Sequence, residues 1–203
     1  SVMVFADIPS ECKTGEIRIE ASSPYANYAA YISEMAVAKR DVAILHFIKQ
    51  KSFDILLTAI VLVVAVILLV LAIVQKMSQK EIGGVEYLGI YLLLMSFYYL
   101  IETKVPEVFY GNQTLYSNLV FIILMTAPLF FEAYCYEAMP KSRKIVSALM
   151  LVSTANVIIQ LGLQMSRCMD FMEMSFVSHG IIMVLILVSV VTLGRNAREE
   201  KSF

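Results

Sequence analysis

Charge is scarce in this sequence. Asp, Glu, Lys and Arg supply 16% of its 203 residues, where a soluble domain carries about a quarter. Hydrophobic residues fill 59% of the chain, more apolar surface than one domain of this size can hide from water. The few charges nearly cancel, to a formal net charge of −1, so there is no basic stripe of the kind that grips nucleic acid. Histidine is limited to His46 and His179, and cysteine to Cys12, Cys135 and Cys168. Neither set has the spacing of a zinc or redox motif. Cys12 and Cys168 could share one side of a membrane and pair, although isolated free thiols are the simpler reading. No nucleophile elbow, phosphate loop or dinucleotide fingerprint occurs. No catalytic residue, metal or cofactor is therefore expected, and this segment is not read as an enzyme. The start also lacks the basic stretch and short apolar run of a secretory signal. With Ser1 at one end and the charged AREEKSF at the other, the chain reads as a segment of a longer protein.

Long apolar runs are what the sequence does have. From Ile55 to Val74 only Thr58 is polar, and about 20 apolar residues suffice to cross the hydrocarbon of a bilayer. Five spans are expected, at about 53–75, 84–101, 115–139, 145–165 and 171–193, which makes 52–195 a transmembrane bundle and 196–203 the start of a cytoplasmic loop or tail. The loops carry their Lys and Arg unequally. Lys76 and Lys80 follow the first span, Lys141, Arg143 and Lys144 follow the third, and Arg195, Arg198 and Lys201 follow the fifth. The alternate loops hold Lys104 against Glu102 and Glu107, and Arg167 with Asp170 and Glu173. Basic loops face the cytoplasm, so the N-terminus is expected outside the plasma membrane and the C-terminus inside. Lys49 and Lys51 weigh weakly the other way.

Residues 1–51 read differently. VMVFADI is a short β-like run. In GEIRIEASS, Ile17 and Ile19 alternate with Arg18 and Glu20, as on a half-buried strand. YISEMAV is a third candidate strand. Lys39, Arg40 and Asp41 read as a polar turn, and VAILHFIKQK after it as an amphipathic linker helix. The fold class expected is a mainly α membrane protein, a bundle of about five transmembrane helices preceded by the end of an extracellular β domain.

Few residues carry candidate chemistry. Asn156, Gln160 and Gln164 stand four apart on the fourth span and share one helix face. The plain reading is interhelical glue; the sharper one is a polar lining for a ligand pocket. His179 lies within the fifth span, where an ionisable side chain is a functional candidate by default, although a place in a hydrated outer vestibule also suits it. Pro128 is expected to kink the third span and is a hinge candidate. Glu132 follows it near the cytoplasmic end, where a long side chain can snorkel to water. Tyr87, Tyr91, Tyr98, Tyr99, Phe109 and Tyr110 crowd the second span and its outer loop, and those near its ends suit an interfacial belt.

Two stretches carry a resemblance. GEIRIEASSPYANYAAYISEMAVAKRDVAILHFIKQ, followed directly by a long span, resembles the junction in bacterial seven-transmembrane receptors with diverse intracellular signalling modules. EYLGIYLLLMSFYYLIET, Glu86 to Thr103, is similar to their second membrane helix. The closest look is to versions that end in a GGDEF diguanylate cyclase domain. The resemblance implies a jelly-roll-like extracellular domain, an unknown extracellular or membrane ligand, and a cytoplasmic output domain making cyclic di-GMP. A histidine kinase is the other output considered. It also implies a homodimer, because two cyclase domains must meet. The chain departs from the group in showing five spans and no GGDEF motif, so no cyclase residue is carried over. The alternative from another class is a transporter or channel component. Against it, no internal repeat is visible and Pro128 has no counterpart in a second half.

Overall fold

The computed structural model describes residues 39–78, 83–169 and 171–200. Its contacts divide the chain into two units, Ser1–Lys51 and Ser52–Phe203. The described part of the first unit is one helix, α1 (Arg40–Gln50). Asp41 stands in its first turn and Lys49 in its last, each sign where the helix dipole favours it. Lys39 is extended and precedes the helix. Arg40 and Asp41 therefore open a helix where a polar turn was expected. Half-buried Ala43, Ile44, Phe47 and Ile48 share one face of α1. The three expected β runs, and Cys12, lie outside the described residues.

In the second unit the described elements are all helical: α2 (Ser52–Met77), α3 (Val85–Glu102), α4 (Val105–Tyr110), α5 (Gln113–Ala138), a 3-10 turn (Pro140–Ser142), α6 (Arg143–Met165) and α7 (Phe171–Glu200). Five stretches are long and apolar enough to cross a membrane: Ser52–Met77, Val85–Glu102, Thr114–Ala138, Pro140–Met165 and Glu173–Thr192. Large apolar side chains cover the outer surface, with Phe176 84% exposed and Leu151 72%. Water disfavours so much contiguous apolar surface; the hydrocarbon of a bilayer does not. The architecture is that of a multi-pass membrane protein. One element was not expected. The short α4 sits inside the loop ETKVPEVFYGNQT, started by a proline in its first turn and stopped by Gly111 at φ 68°.

α5 is the axis of the bundle. α3, α6 and α7 pack against it, and α2 packs along α3. Each buried cluster holds α5 residues. Val120, Ile123 and Ala127 meet Ile101 of α3. Met125 meets Phe171 and Met174 of α7. Cys135 meets Val146 of α6. α5 passes through Pro128 as one helix, although proline supplies no N–H to the carbonyl one turn back.

The α2–α3 contact is built from small residues. Thr58 and Ala65 are the buried residues of α2, and Gly89 and Ser96 are buried on α3. Both pairs stand seven apart, which returns each to the same helix face. In lipid there is no hydrophobic drive between helices, so close backbone approach supplies the attraction. Gly89 marks the tightest point: a Cβ there would lie 2.9 Å from Leu69 Cγ and 3.3 Å from the Leu69 backbone nitrogen.

Three buried hydroxyls in or just after these spans find partners close by. The Thr58 hydroxyl donates to the Asp54 carbonyl, Ser96 to Leu93 and Thr103 to Leu100, as a medium without water requires. At one end of the bundle, Gly84 adopts φ 79° and would place a Cβ 3.0 Å from Glu137 Cβ. The start of α3 therefore lies against the end of α5. At that same end Arg143 donates to the Tyr136 carbonyl at 3.3 Å and stacks over the Tyr136 ring at 5.0 Å. A cation there satisfies a C-terminal carbonyl of α5 and complements its dipole.

Candidate functional site

The polar face of α6 meets α7 and α5. Gln160 is buried, and its amide hydrogens go to Asn156 Oδ1 at 2.8 Å and Ser178 Oγ at 2.9 Å. The Ser178 hydroxyl donates back to Gln160 Oε1 at 3.2 Å. The two side chains thus close a ring of hydrogen bonds between α6 and α7, and both amide hydrogens of Gln160 are used. One turn on, Gln164 Oε1 accepts from the Phe171 backbone N–H at 2.9 Å. That N–H opens α7 and has no carbonyl of its own helix to bond. Gln160 and Gln164 therefore serve helix-to-helix or helix-end contacts, while Asn156 bonds Gln160 within α6.

His179 is not part of this network. Its neighbour Ser178 is buried, whereas His179 is exposed. Its Nδ1 lies 2.7 Å from the Ser175 carbonyl, so Nδ1 carries the hydrogen and donates. Pro128 borders the network from α5: it lines a small space of about 10 Å³ with Ser153, Asn156 and Ser178. Among the aromatic residues, Tyr91 packs inward against Phe131 with ring centroids 5.3 Å apart. Tyr98 packs against the Val120 cluster. Tyr99, Phe109 and Tyr110 are exposed.

Glu132 does not snorkel. It is 2% exposed and accepts a hydrogen bond from the Ser153 hydroxyl of α6 at 2.6 Å on Oε1. Its second oxygen, Oε2, has no hydrogen-bond partner among the described residues. Glu132 lines a cavity of about 260 Å³ between α6 and α7. Leu149 and Val152 of α6 and Val177, Gly180, Ile181, Val184 and Leu185 of α7 supply its apolar walls. The walls are hydrocarbon, and the polar groups are Glu132 and Ser153.

Ser153 and Ser178 were not among the sequence's site candidates, and Glu132 was expected only to snorkel. One signal points to them. In an antiparallel helix pair, polar residues at similar distances before and after the tight turn come level. Glu132 and Ser153 flank the turn at Pro140–Ser142, and Gln160 and Ser178 flank the one after Met165. Cys135 and Cys168 are free thiols, the first buried and the second exposed. Among the described residues no group of three or more His, Cys, Asp and Glu side chains is placed to hold a metal ion. No family model, curated protein or solved structure matches the chain.

Proposed function

We propose that this chain is the membrane region of a bacterial sensory receptor, which passes a signal through its helices to a cytoplasmic output domain. The observation that carries the reading is α7. Its uncharged run ends at Gly194, before Arg195, but the helix runs on to Glu200. At 1.5 Å per residue it is about 45 Å long, against a hydrocarbon core of about 30 Å. Such a helix leaves the membrane without a break, so a small shift or rotation within the bundle moves its far end by the same amount. Rigid helix shifts of this kind are a known switching device. The basic residues Arg195 and Arg198 on the protruding part support a cytoplasmic position for it. The two stretches that resemble the receptor group support a diguanylate cyclase as the output, with a histidine kinase as the other choice, and a homodimer in either case. The end of an extracellular β domain followed by a linker helix, over residues 1–51, belongs to the same reading.

The test uses the helical phase of α7. With a diguanylate cyclase domain fused after Phe203, one to seven residues are inserted after Gly194 and cellular cyclic di-GMP is measured. Output is expected to rise and fall and to return near its starting level at seven inserted residues, two turns of helix. Output indifferent to insertion length would contradict rigid coupling through α7. The second reading, a transporter component, is favoured by one observation, the buried Glu132, because intramembrane carboxylates often mark ion pathways.

A further inference from the structure

We propose that the cleft between α6 and α7 binds a small lipophilic amine, a single ammonium group on a compact apolar body, held by Glu132. Four observations lead there. Glu132 is 2% exposed and lines the cleft. Its Oε1 is occupied by the Ser153 hydroxyl, while Oε2 has no partner among the described residues. The volume, about 260 Å³, falls just below the range of roughly 300–1,000 Å³ typical of drug-sized ligand sites. The mouth is formed by Val152, Val177 and Val184, each more than half exposed on the outer surface of the bundle.

The chemistry narrows the occupant. A carboxylate in an apolar surrounding is costly unless it is paired with positive charge or given hydrogen-bond donors. An ammonium group supplies both to Oε2. Sodium or calcium ions are poor candidates, since such hard cations take several oxygen ligands and the cleft offers only Glu132 and Ser153. The apolar walls call for a hydrocarbon body. The mouth at valines on the outer surface calls for a ligand that reaches the site from lipid.

Gly180 is what holds the cleft open. It lines the space, and a Cβ built on it meets nothing within 4 Å. Glycine is also the poorest helix former after proline. A larger residue at position 180 therefore has room to point into the space without distorting α7. The inference gives the sensory reading a ligand class. It rests on that reading for its biological consequence, but binding is measured on the purified chain, apart from any signalling output.

The full chain in lipid nanodiscs is titrated with cyclohexylamine, with cyclohexanol as a neutral probe of similar shape, by calorimetry. One saturable site is expected for the amine, with the alcohol at least tenfold weaker. Glu132→Gln keeps an acceptor for Ser153 but removes the charge, and is expected to weaken the amine at least tenfold. Gly180→Phe is expected to abolish binding with the fold intact, whereas Gly162→Phe, at a position with no atom within 4 Å of a built Cβ, leaves it unchanged. Equal binding of amine and alcohol, undiminished binding by folded Glu132→Gln, or the absence of any saturable amine site would each overturn the proposal. A bundle that stays folded on Gly180→Phe and still binds would overturn the placement in this cleft. The insertion series in α7 is unaffected by any of these outcomes, so failure of the ligand site is distinguishable from failure of the receptor reading.

Discussion

Gly89→Leu is expected to break the contact between α2 and α3 and to leave little folded protein after extraction in mild detergent. The reason is geometric. The first added carbon already falls 2.9 Å from Leu69 Cγ and Cδ2. Leu69 could turn its side chain aside, but its backbone nitrogen at 3.3 Å moves only if the whole of α2 moves. Overpacking of this kind costs roughly 1–3 kcal/mol, occasionally more, and the larger leucine belongs at the upper end. Gly89→Ala is expected to show a smaller loss, relieved in part by Leu69→Ala on the facing helix. Gly162→Leu is the matched control, because a Cβ there meets nothing within 4 Å. Thermal unfolding in detergent reads all four. A melting temperature for Gly89→Leu equal to that of Gly162→Leu would mean that α2 does not approach α3 this closely.

The double substitution Asn156→Leu, Gln160→Leu is expected to destabilise the bundle before it alters any ligand response. Gln160 exchanges two hydrogen bonds with Ser178 and donates a third to Asn156. Polar contacts between membrane helices are worth roughly 0.6–2 kcal/mol, and a buried hydroxyl left without a partner costs about 1–3 kcal/mol. Loss of Gln160 strands Ser178, so a total of about 2–4 kcal/mol is expected. Ser178→Ala alone should cost less, and adding it to Gln160→Leu should cost almost nothing further, because the two act as one unit. Equilibrium unfolding in detergent tests this. A double variant as stable as the original, but deaf to a ligand, would make the polar face a pocket lining instead of a seam.

The spans were easy to read from sequence because each is a long apolar run. The 20 residues from Ile55 to Val74 contain a single polar side chain, and α2 covers them all. Shorter elements were harder. α4 has six residues, too few for a helical period to show against its Pro106 and Glu107. The first turn of α1 looked like a polar turn because Arg40 and Asp41 are both charged, yet charge on an exposed first turn is compatible with helix. The polar face of α6 was visible from spacing alone, since residues four apart share a face whatever they touch. Its partners were not. Ser178 lies 18 residues from Gln160, and Ser153 lies 21 residues from Glu132, on helices whose rotation only packing determines. For the same reason Glu132 looked free to reach water, when the turn of α5 directs it into α6.

Orientation decides what the long α7 can do, because only a cytoplasmic end can drive a cytoplasmic domain. It also decides whether Glu132 sits nearer the inner or the outer leaflet. Cys168 offers a direct test, being an exposed free thiol in the short connection between α6 and α7. In a Cys12→Ser background, a membrane-impermeant maleimide is applied to cells with an intact plasma membrane. Cys168 is expected to label without lysis. A second variant, Cys12→Ser, Cys168→Ser, Ser78→Cys, places the thiol at an exposed position just after α2 and is expected to label only once the membrane is opened. Protection of Cys168 in intact cells together with labelling of the thiol at position 78 would contradict an outer N-terminus and a cytoplasmic end for α7.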